Sequence, residues 1–283
     1  MTGRRGGPTV RRRRLGAELR RYREAAGLTI DVVAERMDCS ASKISRLETG
    51  QTGASPRDVR DMLVLYDVGR PELEDLMDVA RETRQRGWWR PYGSILTGAN
   101  VAFEAAASTI RSYEAQCIPG LLQTEEYARC QLTAARQDLP AGELANRIRV
   151  RLDRQSLLTQ DDPVHFWCVV DEAALVRPVG GPDVMRAQLE HLLAAAEMPH
   201  VKLQVLPFEV GAHAGMDGSF LLLHFPDEQD PDTVYVVMAT GGVFQEKADE
   251  LRRYETVFSS LQEVALPPEE SVAFVARKAK ESF

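Results

Sequence analysis

Residues 28–50 read Leu28-Thr29-Ile30-Asp31-Val32-Val33-Ala34-Glu35-Arg36-Met37-Asp38-Cys39-Ser40-Ala41-Ser42-Lys43-Ile44-Ser45-Arg46-Leu47-Glu48-Thr49-Gly50. Ile30, Val33, Ala34 and Met37 recur at i, i+3, i+4 and i+7, the stripe of one buried helix face. Thr29 stands where an N-cap belongs, and Asp31 in the first turn favours the helix dipole. Asp38-Cys39 reads as a turn and Ser40 as the N-cap of a second short helix. There Ile44 and Leu47 point inward, while Ser42, Ser45, Arg46 and Thr49 fall on the opposite side at about 100° per residue. Ala41 and Lys43 flank that face, and Gly50 is a C-terminal stop. Such a small, polar, basic outer face suits a DNA major groove. The groove is about 12 Å wide and admits one helix, whose short side chains let it approach base edges.

The neighbouring segments complete a helical bundle. Leu15, Leu19, Tyr22 and Ala26 make a stripe that ends at Gly27. Ser55-Pro56-Arg57-Asp58 opens a further helix, with Ser55 as N-cap, Pro56 at the first helical position and Asp58 completing a capping-box pattern. Val59, Met62, Leu63 and Tyr66 supply its buried face. A last helix is predicted from about Pro71 to about Arg84.

Charge is divided along the chain. Residues 1–60 hold 14 Lys and Arg against 7 Asp and Glu, which leaves 21 against 35 for the remainder, a net of +7 joined to a net of −14. A basic reader joined to an acidic body fits DNA binding better than an inert bundle. Arg4, Arg5 and Arg11, Arg12, Arg13 and Arg14 stand among Gly3, Gly6, Gly7 and Pro8, so residues 1–14 are expected to form a disordered basic arm. That arm either holds phosphates or enters a minor groove, or it is a solubilising leader.

Residues 15–68 resemble the Xre-type helix-turn-helix domain of the lambda repressor and Cro group. The resemblance rests on Leu15, Leu19, Arg20, Gly27, Leu28-Thr29, Val33-Ala34, Met37, Ser40, Ile44-Ser45-Arg46-Leu47-Glu48, Gly50 and Ser55-Pro56. It implies that Ser42, Ser45 and Arg46 face bases, with Ala41 beside them and Lys43 either reading guanine or holding phosphate. Thr29 and Ser40, together with the arginines 11–14 of the arm, are expected to position the DNA backbone. Many members carry Gln at the position of Ile30, so a Gln-mediated contact is absent here.

The 283 residues allow two domains. The expected division is a basic arm at 1–14, a helix-turn-helix domain at 15–85, a linker at 86–93 and a larger α/β domain at 94–283. Arg86-Gly87-Trp88-Trp89-Arg90-Pro91-Tyr92-Gly93 breaks the helical period. Trp88 and Trp89 read as an anchor for the linker, or as one wall of a ligand or partner site. Residues 94–160 read as helical, with Phe103, Ala106, Ala107, Ile110 and Tyr113 on one stripe. A helix with Leu144, Ile148 and Leu152 carries Arg147, Arg149, Arg151 and Arg154, a run expected to pair with the domain's own acids. Strands are expected at 164–170, 201–206, 219–225 and 233–238, and helices at 182–197, about 247–264 and 268–280, giving an α/β mixture with a sheet of four or five strands.

No catalytic pattern emerges. Five histidines make no metal-binding spacing, so neither a metal nor a cofactor is expected, and the chain reads as a non-enzyme. Asp171-Glu172 suits helix capping, although such a pair also fits cation binding. The loop with His213 and Asp217 reads as a structural turn; these four, with Trp88 and Trp89, are the weak candidates for a partner or ligand site. Cys39, Cys117, Cys130 and Cys168 are far apart and are expected to be free thiols in a cytoplasmic protein, and no stretch has the composition of a membrane span.

From about Gly87 onward the chain also resembles the uncharacterised, antitoxin-like C-terminal domain that follows Xre-type domains in many actinobacterial regulators. The strings that carry this are Gly87-Trp88-Trp89, Tyr113-Glu114, Ile118-Pro119-Gly120-Leu121-Leu122-Gln123-Thr124, Asp171-Glu172-Ala173-Ala174-Leu175, Arg177-Pro178-Val179-Gly180-Gly181, Gln204-Val205-Leu206-Pro207-Phe208 and Met216-Asp217-Gly218-Ser219-Phe220. It implies a sequence-specific transcription regulator that binds double-stranded DNA as a homodimer and holds a small protein encoded next to it. The alternative is a one-component regulator whose C-terminal domain senses a small molecule.

Overall fold

Buried apolar stripes organise each of the first five helices in the computed structural model, which describes residues 8–83, 100–135, 140–227, 230–238 and 241–281. The chain divides into two compact units, Met1–Arg90 with Phe225–Pro231, and Pro91–His224 with Asp232–Phe283. The expected linker at 86–93, with Trp88 and Trp89, lies outside the described residues.

The first unit is all helical: α1 (Pro8–Ala25), α2 (Ile30–Arg36), α3 (Ala41–Glu48), α4 (Pro56–Leu65) and α5 (Arg70–Glu82). Leu15, Leu19, Val33, Ile44, Leu47, Val59, Met62, Leu63 and Ala80 close one core between them. Three of these helix starts, those of α2, α3 and α4, carry a side-chain cap. Thr29, Ser40 and Ser55 accept hydrogen bonds from the backbone N–H groups of Val32, Lys43 and Asp58, and Pro56 fills the first turn of α4. These caps satisfy donors that a helix start otherwise leaves to water. Ile30, where many relatives of this fold class carry Gln, packs against the core.

One expectation fails at the N-terminus. Residues 8–14 are the first two turns of α1, not part of a disordered arm. Val10 and Arg11 are buried, and Arg12, Arg13 and Arg14 are half-buried. Arginine is a good helix former, and its methylene stem covers apolar surface while the charged head reaches polar partners. Composition alone suggested a tail; packing makes a helix. Ala26, assigned to the α1 stripe, is exposed beyond the helix end.

The second unit is α/β. Its sheet has six strands in the order β3-β2-β1-β4-β5-β6: β1 (Thr109–Glu114), β2 (His165–Asp171), β3 (Val201–Leu206), β4 (Phe220–His224), β5 (Thr233–Met238) and β6 (Gly241–Gln245). β1 is parallel to β2, and β2 to β3; the other three pairings are antiparallel. The helices are α6 (Asn100–Glu104), α7 (Glu125–Ala135), α8 (Ala141–Arg154), α9 (Glu172–Val176), α10 (Pro182–Ala196), α11 (Ala248–Val264) and α12 (Pro268–Glu281). Tyr113, Val169, Leu206, Phe220 and Leu222 pack against Phe258 and Leu261 of α11. α12 packs on β3 and on α10.

The all-helical reading of 94–160 is wrong at its centre. Helix α6 has only five residues, and β1 follows it. Ile110 and Tyr113 are three apart, as on a helix, but they sit on opposite pleats of a strand paired on both sides. Elements packed on the sheet bury Ile110 on one face and Tyr113 on the other, so hydrophobic spacing alone could not separate helix from strand here. β6 also escaped the sequence reading, because Gly241 and Gly242 signal a turn.

Candidate nucleic-acid interface

Helices α2 and α3 meet through a tight turn. Met37 ends α2, Asp38 takes a left-handed conformation at φ 48°, and the Cys39 N–H bonds the Ala34 carbonyl at 2.9 Å. Aspartate tolerates this region better than most residues. Thr29 Oγ1 accepts the Val32 N–H at 3.3 Å and Ser40 Oγ accepts the Lys43 N–H at 3.1 Å. Each hydroxyl keeps its own proton, and both residues are exposed, so each has a donor left for a phosphate oxygen.

The outer face of α3 is as the spacing requires. Ser42 and Arg46 are exposed, and Ala41, Lys43 and Ser45 are half-buried at its margin. The Arg46 guanidinium has no ion-pair partner among the described residues. Lys43 differs: its Nζ lies 2.9 Å from Asp58 Oδ1. Asp58 in turn accepts the Ser55 hydroxyl at 2.8 Å. The hydrogen bond to Asp58 raises the lysine's affinity for its proton. Burial pushes the Asp58 carboxyl up, but the bonds from Lys43 and Ser55 outweigh it and leave it below the usual range. Lys43 therefore stays charged while tied to α4.

The back of α3 is fixed closely to α1. A Cβ on Gly16 would stand 2.6 Å from the carbonyl oxygens of Leu47 and Glu48, so only glycine lets the two helices approach this far. Gly50, at φ 67°, ends α3 as expected. Arg14 and Arg11 of α1 are engaged within the first unit. Arg14 Nη1 lies 3.3 Å from Asp227 and 3.7 Å from Asp230, in the segment Phe225–Pro231. Burial raises the Asp230 carboxyl, with Asp227 adding to the effect, against the attraction of Arg14 and Arg11.

The weak candidates in the second unit do not come together as one site. Asp171 caps α9 through the Ala173 N–H at 2.8 Å, and its other oxygen is 3.9 Å from His213 Nε2. Glu172 is buried and structural, bonded to Lys278 at 2.9 Å and to the Phe208 N–H at 3.0 Å. Asp217 is exposed. Among the described residues no group of three or more His, Cys, Asp or Glu side chains is placed to hold a metal, and no helix is long and apolar enough to cross a membrane.

A different polar cluster, not selected from the sequence, forms at the end of β1. It joins Glu114 and Ser112 of β1, Gln123 from the following loop, Gln131 of α7 and Arg151 of α8. Arg151 Nη1 donates to Gln123 Oε1 at 2.7 Å and to Gln131 Oε1 at 2.5 Å. Its neighbours on α8 pair with acids as expected: Arg154 clasps the buried Glu104 at 2.6 and 2.7 Å, and Arg147 holds Glu143 at 2.7 Å. The strings Tyr113-Glu114 and Leu122-Gln123 were visible in the sequence, but nothing local tied them to residue 151.

Five helices, a capped turn and an exposed Ser42–Arg46 face with a braced back define a helix-turn-helix DNA-binding protein. A helix-turn-helix domain matches at residues 14–76. The chain belongs to the family described as Domain of unknown function (DUF5753), which matches residues 98–277. No curated protein and no solved structure matches the chain.

Proposed function

We propose that this chain is a sequence-specific, Xre-type transcription regulator that acts as a homodimer and whose C-terminal domain is an antitoxin-like module for a small partner protein. The observation that carries the DNA part is the exposed α3 face, where Arg46, unlike Lys43, is held by no acid among the described residues. One module of this size covers only about 600–1,000 Å² of protein surface on DNA, so two-fold pairing on a palindrome supplies the missing affinity. Acting by binding, the protein needs neither metal nor cofactor. Selection of operators from random duplexes by the full chain tests this. Enrichment of a palindrome is expected; binding of all duplexes alike overturns it.

Two observations favour a protein partner. The chain outside residues 1–60 is strongly acidic, which attracts a basic surface. Val237 and Met238 of β5 and Val243 of β6 are also exposed, and β6 ends the strand order of the sheet; an edge strand is a ready site for another chain. Co-expression with the small protein encoded next to it is expected to give a stable complex, lost on Val243→Lys. The polar cluster at the end of β1 favours the second reading, in which this domain senses a small molecule.

A further inference from the structure

Glu114 closes strand β1, in register with Val170 of the parallel strand β2. Its neighbour Tyr113 faces α11, so strand alternation turns Glu114 to the other face. There it meets Arg151, which lies beyond ion-pair distance. Glu114 Oε1 accepts a long bond from the Ser112 hydroxyl, 3.4 Å, and Ser219, whose Oγ accepts the Ala115 N–H at 3.0 Å, lies close enough to favour the ionised carboxyl. Arg151 is held by two neutral glutamine carbonyls through a single nitrogen, which leaves its Nε and Nη2 edge without a partner among the described residues.

The side chains around this pair are fixed. Gln123 is 1% exposed and its Nε2 bonds the Ile118 carbonyl at 2.7 Å. The Ile118 N–H bonds the Tyr127 hydroxyl at 3.1 Å. Gln188, fully buried, ties down Leu122 and Thr124. Crevices at the carboxyl ends of parallel strands are where open α/β sheets take their ligands. Both side chains are half-buried, and two opposite charges that face each other without touching leave room for something between them that satisfies both.

We propose that Glu114 and Arg151, with Gln123 and Gln131, form a binding site for a small zwitterion of the α-amino-acid class. Its carboxylate lies along the free edge of Arg151 and its ammonium donates to Glu114. The distribution of charge also sets the specificity: an amine alone leaves the guanidinium bare, and an acid alone leaves the carboxylate bare. Glu104 already neutralises Arg154, which leaves Arg151 and Glu114 as the opposite charges of the cluster among the described residues. Burial pushes the Glu114 carboxyl up to about 7 and draws Arg151 down to about 10, both marks of charge without enough partners.

This proposal rests on the small-molecule reading of the C-terminal domain and gives it a chemistry. The test is calorimetric titration of the full chain with the standard α-amino acids, one at a time, each beside its N-acetylated and its carboxyl-amidated form. At least one free amino acid is expected to bind, with both blocked forms about tenfold weaker or worse. Glu114→Gln, nearly isosteric, is expected to show the same loss, and Arg151→Lys a second, independent one. The proposal is overturned if no amino acid binds, if blocked forms bind equally well, or if Glu114→Gln binds like the wild type. Operator affinity, measured with and without the bound amino acid, separates the two ideas: binding without any effect on DNA keeps the site and removes the sensor.

Discussion

Arg23 of α1 grips Glu48 of α3 through two hydrogen bonds, Nε to Oε1 at 2.6 Å and Nη2 to Oε2 at 2.9 Å, and both side chains are buried. The third arm of the guanidinium, Nη1, bonds the Leu28 carbonyl at 2.8 Å, in the turn that leads into α2. One side chain thus fixes three elements of the DNA-binding unit. It holds the far end of α3 while the near end is capped by Ser40, which is how a helix of eight residues keeps one orientation.

Removing one partner of this pair leaves a buried charge alone. Glu48→Ala is expected to destabilise the helix-turn-helix unit by about 3–5 kcal/mol. Replacing both, Arg23→Met with Glu48→Leu, is expected to recover most of that loss. Urea unfolding of the two variants and their parent measures both effects. A Glu48→Ala cost below about 1 kcal/mol, the range of exposed pairs, would show that the pair is not desolvated.

The bond between Lys43 and Asp58 predicts an ordering among the cations of α3. Lys43 is held back from DNA by a carboxylate, whereas Arg46 is not. Arg46→Ala is therefore expected to cost about 1–3 kcal/mol on the selected operator and to relax base preference, with Lys43→Ala costing less. Asp58→Asn releases Lys43 and is expected to steepen the log–log salt dependence of binding by about 0.9, one added phosphate contact. An unchanged slope, measured by fluorescence anisotropy across a salt series, means that Lys43 already reaches DNA.

The start of α1 changes what truncation does. With Val10 and Arg11 buried, deletion of residues 1–14 removes part of a folded helix as well as charge. A lower thermal midpoint of the full chain is expected in addition to weaker DNA binding. A deletion that weakens binding and leaves the midpoint unmoved would return these residues to the role of a free arm.

These cases mark where sequence is informative. Ile44, Leu47 and the Ser40 cap were legible because helix period and capping act over a few residues. Arg23 and Glu48 are 25 residues apart, and no local rule pairs them. β1 was read as helix because Ile110 and Tyr113 fit a 3.6-residue period by accident, and the deciding force was the pairing with β2 and β4. The polar cluster draws on residues 112, 114, 123, 131, 151 and 219, each ordinary in its own segment. Strand order and the packing of α7 and α8 bring them together, and those are properties of the whole sheet.

That cluster makes a pH prediction whose sign can be worked out. Burial is the main cause that lifts the Glu114 carboxyl from 4.5 to about 7, and bonds from Ser219 and Ser112 with the attraction of Arg151 and Arg154 only partly oppose it. The other titratable groups facing it are Cys117 from the loop after β1, Cys168 from β2 and Tyr127 from α7. Burial pushes all three up, which leaves them protonated across the window that matters. Between 4.5 and about 7 the folded protein keeps a proton on Glu114 that the unfolded chain has released. The folded state binds more protons there, so stability falls as pH rises through the window. The contribution is whole below 4.5 and lost above about 7. Glu114→Gln cannot titrate and is expected to flatten this part of the profile, gaining on the parent as pH rises. Thermal midpoints of both proteins, taken across the window and one unit above it, check the sign. A parent curve that rises through the window in parallel with the variant would place Glu114 in contact with water.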